Sequence, residues 1–297
     1  MRYISYMLCY LLSVSMLSSC AQESKKKSDL TPKSIYEVTL ETIQENQAKY
    51  GLKGSVKSVH QKEYLLDKDA EIDLKAYTPV QLSDEADYAL FATAGMAKDC
   101  TLTFNKTGQL LYRMAHGNRF NSKVVETDTL HYTEGGRLTD AENDLKGEDF
   151  AMYTHTHYVY DEEGRLIQQR INGDQSVRDY TYNESKRQVR VVTYDAGTFT
   201  FDTMHTYDVF GRVIETITYN EAGNVELRLE TLYDKAGNIE KQIQYFPDGE
   251  TNVLKAPESD HVKVYAQYDA RGNYIKRIIM DPNGSPVMRE RQFTYYP

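Results

Sequence analysis

The 297-residue chain carries 25 Tyr, 17 Gly, 3 Cys and no Trp, with 35 Lys and Arg against 44 Asp and Glu, a formal net charge of −9. An acidic chain is poorly suited to binding nucleic acid through phosphates, and three Cys supply neither a disulfide framework nor a four-Cys zinc site. With 40% hydrophobic residues there is material for a core, and the tyrosine excess favours strands over a helical bundle.

In chain order, residues 1–19 read as a secretion signal: Arg2 precedes an apolar run from about Ile4 to Leu17 that is short for a permanent membrane span. The run ends in Leu17-Ser18-Ser19-Cys20. This resembles the lipobox of bacterial lipoproteins, which implies acylation of Cys20 and membrane attachment through the N-terminal lipid. An ordinary cleavable signal that happens to contain a Cys is the alternative. More than one acyl chain gives stable anchoring. Removal of residues 1–19 takes away Arg2 and no acid, leaving 34 basic against 44 acidic residues, or −10. Cys9 leaves with the signal, so Cys100 is then the one thiol. By the same resemblance, Ala21 implies the outer membrane. Gln22-Glu23-Ser24 followed by Lys25-Lys26-Lys27 departs from an acidic surface-export stretch, which points to the periplasmic face rather than the cell surface.

Residues 20–33 are polar and contain Pro32, as expected of a tether. Residues 34–55 form an entry segment. Ser34 and Glu37 fit a capping box, predicting a helix from Ile35 to about Lys49 that stops at Gly51; alternation of Tyr36, Val38, Leu40 and Thr42 leaves a strand as the competing reading. Residues 56–297 read as one β-repeat domain with an insertion at about 67–98, whose Asp84 to Lys98 portion is a candidate short helix.

One motif recurs through that domain: an aromatic residue, Asp or Asn, two variable residues, Gly, then a polar and an apolar residue. Copies begin at Phe104, Tyr132, Tyr160, Tyr207, Tyr219, Tyr233 and Tyr268, with Gly108, Gly136, Gly164, Gly211, Gly223, Gly237 and Gly272 at the fifth position. Weaker copies run from Tyr245 to Gly249 and Met280 to Gly284, and Tyr182 to Val189 lacks the Gly. Asp or Asn suits the first position of a type I turn, and a left-handed Gly then closes a three-residue hairpin with a bulge. Spacings of 12 to 14 between successive glycines equal one strand plus one turn. The predicted fold is mainly all-β: a long antiparallel meander of β-hairpin repeats, curled or barrel-like, with a short N-terminal helix. Counting by twos from the motif aromatics puts Thr231, Leu229, Leu227 and Val225 with Tyr233, Ala266, Val264 and Val262 with Tyr268, and Leu102 and Cys100 with Phe104 on one packed face. The tyrosines are thus expected to be strand-end core residues and Cys100 a buried thiol.

The copies at Tyr160 and Tyr207 resemble the YD repeats of Rhs-type proteins, with MORN-like character at Tyr245-Phe246-Pro247-Asp248-Gly249. The resemblance covers roughly residues 100–290 and implies a lipoprotein of Bacteroidetes type with a β-hairpin array. It also implies carbohydrate binding as one role for the scaffold.

No Gly-x-Ser-x-Gly, P-loop, dinucleotide fingerprint or His-Glu-x-x-His occurs, so neither catalysis nor a cofactor is expected. His155 and His157 alternate onto one face, opposite the tyrosine face, and His131 shares their parity; these are either solvated histidines or three ligands for Zn²⁺ in a metal-dependent enzyme. Tyr153 and Tyr265, also off the packed face, are either cross-strand register pairs or stacking platforms for a sugar. The functional expectation is a lipid-anchored envelope protein with a structural or binding role, its partner an envelope protein or a glycan.

Overall fold

A computed structural model describes residues 33–67, 72–80, 97–119, 122–235, 237, 239–255, 263–280 and 285–297. The signal segment, Cys20 and the tether to residue 32, residues 84–96 of the candidate helix Asp84 to Lys98, Val262 and the turn copy at 281–284 lie outside the described residues; the last two residues of that candidate, Ala97 and Lys98, are strand instead, where the chain pairs into the sheet.

The elements in chain order are α1 (Ile35–Ile43), a 3₁₀ turn (Gln47–Tyr50), β1 (Val56–Leu65), β2 (Thr78–Val80), β3 (Ala97–Phe104), β4 (Leu110–Arg119), β5 (Ser122–Tyr132) and β6 (Leu138–Gly147). There follow β7 (Ala151–Tyr160), β8 (Leu166–Ile171), β9 (Ser176–Asn183), β10 (Gln188–Asp195), β11 (Thr198–Tyr207) and β12 (Val213–Tyr219). The last are β13 (Val225–Tyr233), β14 (Ile239–Tyr245), β15 (Thr251–Lys255), β16 (Lys263–Tyr268), β17 (Tyr274–Met280) and β18 (Val287–Tyr295). All 18 strands form one antiparallel sheet. From β3 to β15 each strand pairs with the next in sequence; β16, β17 and β18 continue from the other side, where β18 pairs with β1 and β1 with β3. The sheet is open, running from β2 at one edge to β15 at the other.

The repeated turns follow from their sequence. The motif glycines among the described residues all have positive φ, from +78° at Gly223 to +98° at Gly237. In the Tyr160 copy the Gly164 N–H donates to the Asp161 carbonyl and the Asp161 N–H to the Arg165 carbonyl, both at 3.0 Å. The Asp161 carboxylate also accepts from the Arg165 N–H at 2.8 Å, so the side chain finishes the turn that the backbone begins. A register shift accompanies each of the seven regular copies, as at Val159/Tyr160 and Thr206/Tyr207. The copy without Gly uses Arg187 at φ +53°. Antiparallel pairing fixes the end of the sheet at which each turn lies. The turns after Phe104, Tyr132, Tyr160, Tyr207, Tyr233 and Tyr268 share one end, while those after Tyr219 and Tyr245 lie at the other.

Tyrosine rather than phenylalanine has a hydrogen-bonding reason. The Tyr160 hydroxyl donates to the Leu138 carbonyl at 2.7 Å, Tyr182 to Leu166 at 2.7 Å and Tyr233 to Val213 at 2.9 Å. Each of these phenols therefore ties its own turn to the apolar residue that closes the preceding turn at that end. Leu138 and Leu166 are themselves fully covered. Tyr160→Phe keeps the ring and removes the donor; we expect a loss of about 1 kcal/mol, read as a lower urea midpoint at unchanged slope.

Residues 33–53 run across this turn-bearing end. Glu37 accepts from the Ser34 N–H at 3.0 Å, forming the capping interaction. The helix is shorter than the sequence predicts and stops at Ile43. Beyond it, Glu45 and Asn46 extend to meet the β3–β4 turn: Leu110 N–H donates to the Glu45 carbonyl and Gln47 N–H to the Gly108 carbonyl, both at 2.8 Å. Two strand-like hydrogen bonds to a neighbour replace the last helical turns. Ile35 and Val38 pack with Leu166, Tyr180, Val189 and Tyr207, while Tyr50 and Leu52 pack with Val56, Val59, Leu102, Phe104, Leu110 and Leu138. The sheet must curl to achieve this. Val38 touches the β11–β12 turn at Gly211, and the Lys53 N–H donates to Asn273 at 2.6 Å, at the start of β17. In a flat sheet those points would be about 58 Å apart, roughly twelve strand spacings of about 4.8 Å. The fifteen residue steps from one to the other span at most about 54 Å fully extended, and here they include a helix.

The packed face holds Phe104, Leu102, Cys100, Ala266, Val264, Leu229 and Thr231, as alternation predicts. Two expected members are exposed. Val225 is 44% exposed because it lies toward the end that residues 33–53 do not cover. Tyr268 is 45% exposed because β2, the next strand outward, pairs with β16 only as far as Ala266 opposite Thr78.

Candidate binding surface on the outer face

Strand register brings the predicted histidines and one predicted tyrosine together. His131 on β5 stands opposite Asp140 on β6, which stands opposite His157 on β7. One row along, Thr129, Glu142 and His155 align; in the next, Thr127, Asp144 and Tyr153. All face away from the packed side, forming a patch three strands wide.

Asp140 is its hub. Its Oδ1 lies 2.9 Å from His157 Nδ1 and 3.1 Å from His155 Nε2, and His131 Nε2 lies 3.3 Å from Glu142 Oε1. Burial works to raise the Asp140 carboxyl, but hydrogen bonds from His157, Thr139 and His155 outweigh it and hold the group below the ordinary carboxylate range. The three imidazoles thus turn to carboxylates, and among the described residues no group of three or more His, Cys, Asp or Glu is arranged to hold a metal ion. Tyr153 is 56% exposed; desolvation first, then the neighbouring Glu142 carboxylate, raises its ionisation above the usual phenol value. The patch therefore offers an open aromatic ring flanked by carboxylates and imidazoles. Tyr265 does not join it. It stands opposite Ile278 on β17 and Pro79 on β2, half-buried and eight strands away in sheet order.

Cys100 is 7% exposed, and burial pushes its thiol up to about 11, so it is an inert core group. More informative are polar side chains on the inner face that motif counting passed over. Arg113 pairs with Asp128 and, at 3.4 Å, with Glu126, while Asn143 donates to Asp128 at 2.6 Å. Arg289, 1% exposed, donates to Glu63 at 2.8 Å. Arg291 donates to Gln61 at 2.9 Å and stacks on the Tyr274 ring at 3.7 Å, with Arg277 5.1 Å from the same ring. Counting back by twos from Tyr295 through Phe293 gives Arg291 and Arg289, so the inward arginines were visible in the alternation.

No protein-family model matches the chain, and no curated protein matches it in sequence. Among solved structures, a porin-like protein from Bacteroides uniformis is 11% identical over 82% of this chain and 98% of that one, at a TM-score of 0.38. A porin-like protein from Bacteroides vulgatus is 10% identical over 67% of this chain and 94% of that one, at 0.24. The Tc holotoxin pore of Photorhabdus luminescens is 10% identical over 80% of this chain but only 18% of that one, at 0.27. All three scores lie below 0.5, and nothing about this chain's activity follows from them.

Proposed function

We propose that this chain is a lipid-anchored envelope protein, tethered through Cys20, whose curled hairpin array serves to bind a partner and not to catalyse a reaction. The lipobox-like Leu17-Ser18-Ser19-Cys20 supports the anchor. The observation that carries the binding role is the outer patch: an exposed tyrosine ring beside Glu142, with Asp140, His155 and His157 within two rows.

A glycan suits that patch best. Sugar rings stack their C–H faces on phenol rings, and carboxylates and imidazoles accept or donate to hydroxyls. The test is a glycan array covering plant, host and peptidoglycan sugars, probed with the full-length chain in detergent. Binding to at least one class is expected, with affinity weakened about tenfold by Tyr153→Ala, the equivalent of ~1.4 kcal/mol. Silence across the array sinks the glycan reading and leaves an envelope protein as the partner.

A further inference from the structure

One hairpin tip differs from the rest in chemistry. The two residues at the tip of other regular turns include Lys106-Thr107, Glu134-Gly135, Glu162-Glu163, Glu221-Ala222 and Ala270-Arg271, but between β11 and β12 they are Val209 and Phe210. Both are open to solvent, 52% and 39% exposed. The turn is rigid: the Gly211 N–H donates to the Asp208 carbonyl at 3.1 Å and the Phe210 N–H to the Asp208 carboxylate at 2.9 Å. Arg212 pairs with Asp208 at 2.6 Å and stacks on the Phe210 and Tyr233 rings.

A second, independent observation concerns where the chain enters the domain. One guanidinium, Arg187, donates through Nη2 to the Lys33 carbonyl at 3.0 Å and through Nε to the Asp208 carbonyl at 2.9 Å. The entry point and the apolar tip are thus joined through a single side chain. Cys20 lies thirteen positions before Lys33, a reach of at most about 47 Å. The carboxylates at the entry are engaged: Glu184 accepts from the Ser34 hydroxyl at 3.2 Å, Glu37 from the Ser34 N–H, and Glu41 pairs with Lys33 at 2.7 Å. An apolar tip beside the point where the tether arrives, with the acids there already partnered, fits a lipid surface.

We propose that the Val209–Phe210 tip inserts into the lipid interface beside the anchored N-terminus and so fixes the array end-on to the membrane. This rests on the anchor reading. Insertion of the tip adds apolar contact to the acyl attachment and gives the domain a second point of attachment, which sets its orientation.

The absence of Trp makes the test direct, since any Trp introduced is the sole indole. Phe210→Trp places it at the tip. Phe246→Trp is the control: Phe246 is also 39% exposed but follows β14, at the opposite end of the strands. The full-length chain is reconstituted in phosphatidylethanolamine and phosphatidylglycerol vesicles, with and without brominated acyl chains. The Trp at 210 should emit to the blue of the Trp at 246 and lose most of its intensity to the brominated lipid. Quenching at 210 no greater than at 246 overturns the proposal. Val209→Trp repeats the measurement should Phe210→Trp fail to fold. The anchor is read separately, by the acyl mass on Cys20. To keep the two apart, the quenching is also measured on a Cys20→Ala chain held by an N-terminal hexahistidine on nickel-chelating vesicles, where the tip alone decides the outcome.

Discussion

Phe104→Ala is expected to lower the unfolding free energy by about 3–5 kcal/mol, which for a chain of ordinary stability is a large share of the total. Phe104 is fully buried and its ring meets Tyr50 edge-on at 5.9 Å. It sits where β3 turns into β4, and its carbonyl accepts from the Tyr296 hydroxyl at 2.7 Å, so three parts of the chain converge on it: the entry segment, the first repeat turn and the C-terminal strand. Because the turn backbone at 105–109 is held by its own hydrogen bonds, the cavity has little freedom to collapse. The measurement is equilibrium urea unfolding followed by far-ultraviolet circular dichroism. A loss under about 1 kcal/mol would show that the site relaxes and that Tyr50 and Leu52 fill the space.

His205 gives the second large effect. It lies on the packed face, opposite Val189 and Thr216, with its Nδ1 3.0 Å from the Thr216 hydroxyl. Burial lowers its ionisation from 6.5 to about 4. The folded state therefore resists the proton that the unfolded chain takes up readily, so stability is full above pH 6.5 and falls as pH drops from 6.5 toward 4. We expect about 2 kcal/mol from this residue, less than the whole displacement implies because it keeps some solvent contact. The readout is the difference in urea midpoint between the parent chain and His205→Gln across that range. Parallel curves for the two would remove His205 as the cause.

Much of this architecture is legible in the sequence, since turn chemistry is local. Asp161, Gly164 and Arg165 make their bonds within five residues, so spacing alone locates the hairpins. Alternation then assigns faces wherever a strand lies under residues 33–53, as for Leu102 and Phe104. It fails at Val225 and Tyr268, where exposure depends on what neighbouring strands and the entry segment cover. The end of α1 was hidden for a similar reason: residues 44–49 suit a helix, but a carbonyl and an N–H offered by the β3–β4 turn outweigh that preference. For the outer patch, parity put His155, His157 and Tyr153 on one face, yet Asp140 and Glu142 could be placed between the histidines only by knowing the register of β6. Tyr265 shares the parity of Tyr153 and ends up far from it, because parity carries no information about which strands are neighbours.

The pairing of β1 with β18 bears on how the chain reaches this state. Strands β3 to β15 can zip up one after another, each onto its predecessor, with short loops to close. The strip formed by β1 between β3 and β18 waits for residues that are 230 positions apart, as in the Gln61–Arg291 bond. Until β18 docks, β1 presents an open edge on that side, next to a face that includes Val59 and Gln61. From contact order we expect assembly to be fast and sequential over most of the sheet and gated by one late, long-range closure, the last strand of the sheet in sequence serving as the latch for the first.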